Sequence, residues 1–216
     1  MIYLAAPLLA YLLGSIPWGF LAGRINGVDL RREGSGSTGA TNALRVLGKK
    51  WGYLVFALDA LKGVLAVKWS MDLAIFLNAN GQEKIYAGVL AAIFVMVGHT
   101  YPLWLKFQGG KGIATAAGVM MALFPPPVFA FGLLVWAVLF YSTRYVSIAS
   151  LGAAVSLPTS AGVLWWLGLC DPLLVFIAGA MCALAVWRHK SNIQRLMAGT
   201  EKRFEKKSRP TGESHV

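Results

Sequence analysis

The 216-residue chain is 57% hydrophobic and only 13% charged, which excludes an ordinary soluble domain and makes its length that of a membrane bundle, at about 20 residues per crossing. Its formal net charge of +11 invites a nucleic-acid partner, but no basic and aromatic platform and no zinc pattern accompanies the charge, so no nucleic acid is expected. Cations beside apolar segments report membrane orientation instead, and those beyond the last segment can rest on anionic membrane lipids.

The first apolar segment, 2–23, has no basic residue before it and reads as a retained helix, not a cleaved signal. Further apolar segments run over 51–69, 84–105, 112–124, 128–141, 146–168 and 172–187. The Pro125 to Pro127 run separates the fourth from the fifth, because proline removes an amide donor and clashes with the preceding turn. The expected fold class is therefore an all-α membrane protein, a seven-transmembrane-helix bundle over residues 1–199, with a basic tail over 200–216 that is mobile or lies on the membrane surface.

Seventeen of the 20 Lys and Arg residues fall in alternate connections and the tail, among them Arg24, Arg31, Arg32, Arg45, Lys49, Lys50, Lys106, Lys111 and Arg144. The positive-inside rule places this set in the cytoplasm, so the N-terminus is expected outside and the C-terminus inside. Cys170 and Cys182 lie most of a helix apart and belong to no metal-spaced pair, so neither a disulfide nor a metal site is expected.

The polar connections on the basic side are rich in glycine. They read GSGSTGATNALR from Gly34 to Arg45, GHTYPLWLKFQGGKGIAT from Gly98 to Thr115, STRYVS from Ser142 to Ser147, and RHKSNIQRLMAGTE from Arg188 to Glu201. Glycine-rich backbone lets consecutive N–H groups point at an anion, Arg and Lys add charge, and Ser and Thr add neutral donors. One such block could be turns and topology signals alone; four on one side point to phosphate recognition at the bilayer surface.

Two familiar phosphate motifs do not apply. Gly34, Gly36 and Gly39 match G-x-G-x-x-G, but no strand precedes them and no βαβ unit follows. The GGKG stretch is no Walker A loop, because Leu105 stands at the first-glycine position and Gly112 follows Lys111 where Ser or Thr is needed. Within the apolar segments, Asp59 and Lys62 are three apart on one helical face and can neutralise each other, or can orient the neighbouring glycine-rich loop. His99 reads as a hydrogen-bonded packing residue, whereas His189, beside Arg188 and three residues before Asn192, is a candidate for binding or catalysis. No serine stands in a G-x-S-x-G elbow, neither cysteine lies in a polar block, and no His is followed by Asp after four residues. Chemistry that needs an activated nucleophile therefore has to draw on a donor that is already reactive, or on a substrate that helps.

These motifs, in this order on a seven-helix outline, resemble the bacterial family of integral-membrane glycerol-3-phosphate acyltransferases that use acyl phosphate. The resemblance covers nearly everything except the tail, and departs at Ser37-Thr38, where the family often has Asn-Pro or Asn-Thr; a hydroxyl there still offers a phosphate donor. It implies direct transfer from acyl phosphate to the 1-hydroxyl of glycerol 3-phosphate in the bacterial cytoplasmic membrane, the first step of phospholipid synthesis, with no cofactor and no acyl-enzyme. Either the phosphate of glycerol 3-phosphate or His189 takes the hydroxyl proton. Carried over by motif, Ser35, Gly36, Ser37, Thr41, Asn42 and Arg45 recognise phosphate, and Lys111 with the amides of Gly109, Gly110 and Gly112 forms a second cradle. Ser142 and Arg144 close the site, and His189 and Asn192 position glycerol 3-phosphate. The rivals are a phosphate or other anion transporter, which would place its site near the midplane on broken helices, and a lipid phosphatase, which would need a nucleophilic His or a metal cluster.

Overall fold

The computed structural model describes residues 2–204, and among the described residues every regular element is helical. In chain order these are α1 (Ile2–Gly14), α2 (Trp18–Ile25), α3 (Ala40–Val46), α4 (Lys49–Phe76), α5 (Gly81–Thr100), a 3-10 turn (Leu103–Leu105), α6 (Ile113–Leu123), α7 (Pro126–Thr143), α8 (Val146–Trp166), α9 (Pro172–Arg188) and α10 (Lys190–Met197).

Local chemistry sets several of these boundaries. The first apolar segment is two helices, not one, because the chain breaks at Ser15 to Pro17 and Pro17 has no amide hydrogen to continue the ladder. Asn80 starts α5 with a reciprocal cap, its side chain accepting from the Glu83 amide while the Glu83 carboxylate accepts from the Asn80 amide. Asp171 caps α9 through the Leu173 amide, and Pro172 and Pro126 occupy first-turn positions where a missing N–H costs nothing. The expected proline break is found between α6 and α7.

Helices α4 and α6 meet through glycine. A side chain on Gly118 would strike the Ala60 carbonyl, and one on Gly63 would strike that of Thr115, so small residues set this close backbone approach. Val67, Val95, Val119 and Val128 are fully enclosed in the core. The outer face of α7 presents Phe131, Leu133, Leu134 and Val138, a surface suited to lipid.

Among the described residues, four helical stretches are long and apolar enough to cross a membrane: Leu4–Ile25, Gly81–Leu105, Pro126–Thr143 and Val146–Trp166. A fifth is reached if α9 and α10, bent by 56°, count as one. Each of the seven expected segments is helical, but α6 has 11 residues, only about half of a 30 Å hydrocarbon core at 1.5 Å per residue. Helix α4 carries a charge pair in its middle: Lys62 Nζ lies 2.8 Å from Asp59 Oδ1, with both side chains buried. The mutual neutralisation expected of this pair is what the structure contains, and Lys62 also donates to the Ile16 carbonyl at 3.0 Å. His99 is buried beside them, its Nδ1 3.5 Å from the same carboxylate oxygen.

Two short helices, α3 and α10, were not expected. The first residues of the expected tail also differ from a mobile segment: Glu201 is buried and Phe204 packs against the body. The rest of that tail, 205–216, lies outside the described residues.

Candidate active site

The ends of α5 and α9, the start of α6, the α7–α8 turn, α3 and α10 gather the glycine-rich connections around one polar cavity of ≈ 140 Å³. Its walls include Ser35, Ser37, Thr41, Arg45, Lys111, Gly112, His189 and Asn192. Most of the polar side chains expected at a phosphate site therefore do meet, although they come from positions up to about 150 residues apart.

The first loop is organised by Asn42, which is 1% exposed. Its Oδ1 accepts from the Ser35 amide at 2.8 Å, and its Nδ2 donates to the Leu30 and Glu33 carbonyls, each at 3.0 Å. Asn42, expected to recognise phosphate, is thus spent on holding its own loop. Gly34 turns with φ +64 directly against this amide, where a side chain would collide with it. Ser35 and Ser37 remain on the cavity wall, while Gly36 faces an outer vestibule of ≈ 250 Å³ together with Lys111, Arg188 and Lys190.

The second loop departs from expectation. The Gly109 amide donates to the Thr100 carbonyl at 3.0 Å, and the Gly110 amide to the His99 carbonyl at 3.2 Å, so neither is free to cradle a phosphate. Their lack of a side chain serves packing instead, since a Cβ on Gly110 would run into the His99 ring. Arg188 clamps the loop from the other side, its Nη2 donating to the Gly109 and Gly110 carbonyls at 2.9 and 3.0 Å. What this loop presents to the cavity is Lys111 and, beside it, Gly112.

Lys111 Nζ donates to Asn192 Oδ1 at 2.5 Å. Asn192 Nδ2 donates in turn to Glu201 Oε1 at 2.7 Å, and Arg195 Nε to Glu201 Oε2 at 2.7 Å. A carboxylate only accepts, so Glu201 fixes which way the Asn192 amide faces and aims its oxygen at the lysine. Burial lowers the Lys111 pKa to about 8, against the pull of Glu201, so the side chain remains mainly cationic at neutral pH. Burial would raise the Glu201 pKa, but hydrogen bonds from Asn192 and Arg195 outweigh it and hold the carboxyl below its ordinary range.

His189 sits at the break between α9 and α10 and is 3% exposed. Its Nδ1 lies 2.7 Å from the Ala185 carbonyl. A carbonyl cannot donate, so Nδ1 carries the hydrogen and Nε2 keeps the lone pair. Burial lowers the His189 pKa to about 4, leaving a neutral imidazole at physiological pH.

The α7–α8 connection supplies different residues from those expected. Ser142 is exposed and its hydroxyl donates back to the Val138 and Leu139 carbonyls, because at the last turn of α7 those carbonyls are its nearest acceptors. Arg144 ends α7 in a left-handed conformation with its guanidinium over the Tyr141 ring. Neither lines the cavity; Ser147 and Ser150, on the first turns of α8, do. Ser147 is buried beside the Glu201 carboxylate, its hydroxyl without a well-formed hydrogen bond among the described residues.

Sequence reasoning did not select Glu201, Ser147 and Ser150 on the cavity wall, nor Arg188 on the vestibule, and it read Asp59 and His99, which also line the cavity, as a charge partner and a packing residue. The available signal was Glu201 itself, the one acidic residue in the block from Arg188 to Glu201. Among the described residues no group of three His, Cys, Asp or Glu side chains could hold a metal ion.

Next to the polar cavity runs an apolar groove of ≈ 190 Å³ between α6, α7, α8 and α9, walled by Met120, Phe129, Leu133, Leu157 and Met181. Phe56, Ile113, Trp136 and Ser150 line both spaces. The site therefore joins a polar compartment, which holds Arg45 and Lys111 together with the carboxylates of Asp59 and Glu201, to a hydrocarbon-like one across a shared wall.

A family model described as glycerol-3-phosphate acyltransferase matches residues 4–199. The chain is 43% identical over 207 residues to a glycerol-3-phosphate acyltransferase of Rhodopseudomonas palustris (strain BisB5), covering 95% of this chain and 98% of that protein. It is 42% identical over 195 residues to one of Aquifex aeolicus (strain VF5), covering 90% and 95%. Two crystal structures of PlsY (YgiH), an integral membrane glycerol 3-phosphate acyltransferase, share its fold. The glycerol 3-phosphate form superposes with a TM-score of 0.82 at 41% identity, over 94% of this chain and 96% of that one. The lysophosphatidic acid form gives 0.79 at 40% identity, over 94% and 95%. With the motif-bearing loops gathered on one cavity and the match running through nearly all of the chain, the protein belongs to the glycerol-3-phosphate acyltransferase family.

Proposed function

We propose that the protein transfers a fatty acyl group from acyl phosphate to the 1-hydroxyl of sn-glycerol 3-phosphate, giving lysophosphatidic acid and inorganic phosphate. The observation that carries this reading is the wall shared by the polar cavity that holds Arg45 and Lys111 and the apolar groove. A fatty acyl phosphate has that polarity: its chain fits the groove, its carbonyl falls at the wall, and its phosphate reaches Lys111 and Arg45. The glycerol 3-phosphate and lysophosphatidic acid forms of PlsY support the acceptor and the product.

In the transfer, the hydroxyl oxygen attacks the acyl carbon, the bond from that carbon to the phosphate oxygen breaks, and phosphate leaves with the electron pair. An acyl phosphate is a mixed anhydride with a good leaving group, so the protein's task is alignment and stabilisation of developing charge. The hydroxyl proton goes to a phosphate oxygen of glycerol 3-phosphate. A phosphate monoester keeps a basic oxygen near neutral pH, whereas burial lowers the His189 pKa to about 4 and makes the imidazole the poorer base. His189 Nε2 then accepts a hydrogen bond and orients the hydroxyl without keeping its proton. Lys111 and Arg45 neutralise the departing phosphate, and Ser35, Ser37 and Thr41 add neutral donors.

Seven crossings, an outer N-terminus and a cytoplasmic site in the bacterial inner membrane complete the proposal, supported by the 17 cations on one set of connections. An anion transporter would have its site near the midplane with access from both sides; here the motif residues come from the ends of α5 and α9 and the start of α6. The test supplies acyl phosphate or acyl-CoA separately with labelled glycerol 3-phosphate to the purified protein, with donor hydrolysis monitored. Lysophosphatidic acid is expected from acyl phosphate alone. Efficient transfer from acyl-CoA with acyl phosphate inert refutes the mechanism, and a transporter would make no product but would move labelled phosphate into vesicles.

A further inference from the structure

Arg45 reaches the cavity from α3, but part of its hold comes from 157 positions further along the chain. Its Nη2 donates to the Lys202 carbonyl at 3.0 Å, and its guanidinium lies 4.9 Å from the centre of the Phe204 ring. A guanidinium has five N–H donors in one plane, so a carbonyl at one edge and a ring against one face fix that plane and leave other donors for an anion.

Phe204 is itself fixed from the opposite side. Its amide donates to the Arg144 carbonyl at 3.0 Å, and its ring meets Phe140 edge-on at 6.0 Å. Phe140 stacks on Trp136 at 5.0 Å, and Trp136 belongs to the wall shared by cavity and groove. Between these ends, Arg203 Nε donates to the Thr143 carbonyl at 3.2 Å, and Glu201 is tied to Asn192 and Arg195. Residues 201–204 thus span from α10 across α3 to the α7–α8 turn, with an aromatic row running from the groove wall to Arg45.

We propose that residues 201–204 form a strap that seats Arg45 for a phosphate group, with Phe204 as the positioning residue at its end. The identity of the substrates rests on the acyl-transfer reading; the strap rests on the geometry of Arg45. It also gives Arg144 a role the motif does not suggest, since its backbone carbonyl, not its charge, anchors the strap.

The test uses the full chain in detergent with Phe204→Leu, which keeps apolar bulk but removes the ring face, and Phe204→Tyr, which keeps the face. Kinetics give KM for each substrate and kcat, and the midpoint of thermal unfolding is followed against inorganic phosphate as an activity-independent probe. Phe204→Leu is expected to raise the KM of a phosphate-bearing substrate, and the phosphate concentration for half-maximal stabilisation, by roughly three- to tenfold, the range of a partly desolvated cation–π contact. Because Arg45 also faces the departing phosphate, kcat should not rise, the unliganded midpoint should change by less than about 2 °C, and Phe204→Tyr should behave as the wild type. Wild-type KM and phosphate response in Phe204→Leu overturn the strap, as does Phe204→Tyr failing in the same way, or a change confined to the unliganded midpoint. If the wild type makes no lysophosphatidic acid but is still stabilised by phosphate, the acyl-transfer reading fails and the strap is judged on the phosphate response alone. A wild type that phosphate does not stabilise overturns the strap.

Discussion

Replacing Lys111 by Met keeps the length of the side chain and removes its charge. An ammonium has three donors, and one is occupied by Asn192 Oδ1, so up to two are left for an anion. A single charge-assisted hydrogen bond contributes about 1.5–3 kcal/mol, which at about 1.4 kcal/mol per decade is one to two decades in kcat/KM. The fold should tolerate the change, because Asn192 keeps its bond to Glu201 and methionine packs in place of the buried stem. Lysophosphatidic acid formed from acyl phosphate and labelled glycerol 3-phosphate would be measured alongside the thermal midpoint in detergent. A fall of about ten- to a hundredfold at nearly unchanged midpoint is expected. A kcat/KM within about threefold of the wild type, less than half a decade, would refute the assignment of Lys111 to a phosphate.

The same lysine predicts a pH profile. Its pKa is lowered to about 8, so the cation is present below that pH and lost above it; kcat/KM should fall as pH rises through 8, the fall should vanish in any active Lys111→Arg protein, and a flat wild-type profile to high pH would contradict it. Asp59→Asn should act on stability instead, because it leaves the buried Lys62 without its counter-charge; breaking such a pair costs about 3–5 kcal/mol, read as a lowered thermal midpoint, and an unchanged midpoint would show the pair to be dispensable. Ser142→Ala should leave activity near wild type, since that hydroxyl only returns to its own helix, whereas Glu201→Gln should lower activity by at least about tenfold by freeing the Asn192 amide to turn; the reverse ranking in the acyl-transfer assay would restore the motif-based assignment.

How much of this was legible in the sequence depended on whether a residue acts through its own side chain or through the backbone. Arg45, Lys111, His189 and Asn192 were legible because cationic and amide side chains in glycine-rich blocks have few other uses at a membrane surface, and all four line the cavity. Gly109 and Gly110 were misread for the opposite reason. A glycine signals close approach without naming what approaches, and here it is His99 rather than a phosphate. The Asn42 amide could equally bind a ligand or its own loop, and only its three hydrogen bonds to the loop backbone separate the two. Glu201 was passed over because it stands at the edge of a charged tail, and composition does not reveal that a tail turns back. The apolar segments were found by hydropathy, but hydropathy averages over the break that Pro17 imposes after Ser15 and over the 11-residue length of α6.

The wall formed by Phe56, Ile113, Trp136 and Ser150 also has a kinetic consequence. In the proposed transfer, one reactant comes from water and is set by its bulk concentration; the other, with its chain in the groove, is partitioned into the bilayer and is set by its mole fraction there. Diluting the donor with inert lipid at constant total concentration should therefore slow the reaction as strongly as removing donor from the assay, while leaving the response to the water-borne acceptor unchanged. The rate of synthesis then follows the crowding of the membrane plane, and enlarging that plane with new lipid lowers the donor's surface density unless its supply keeps pace.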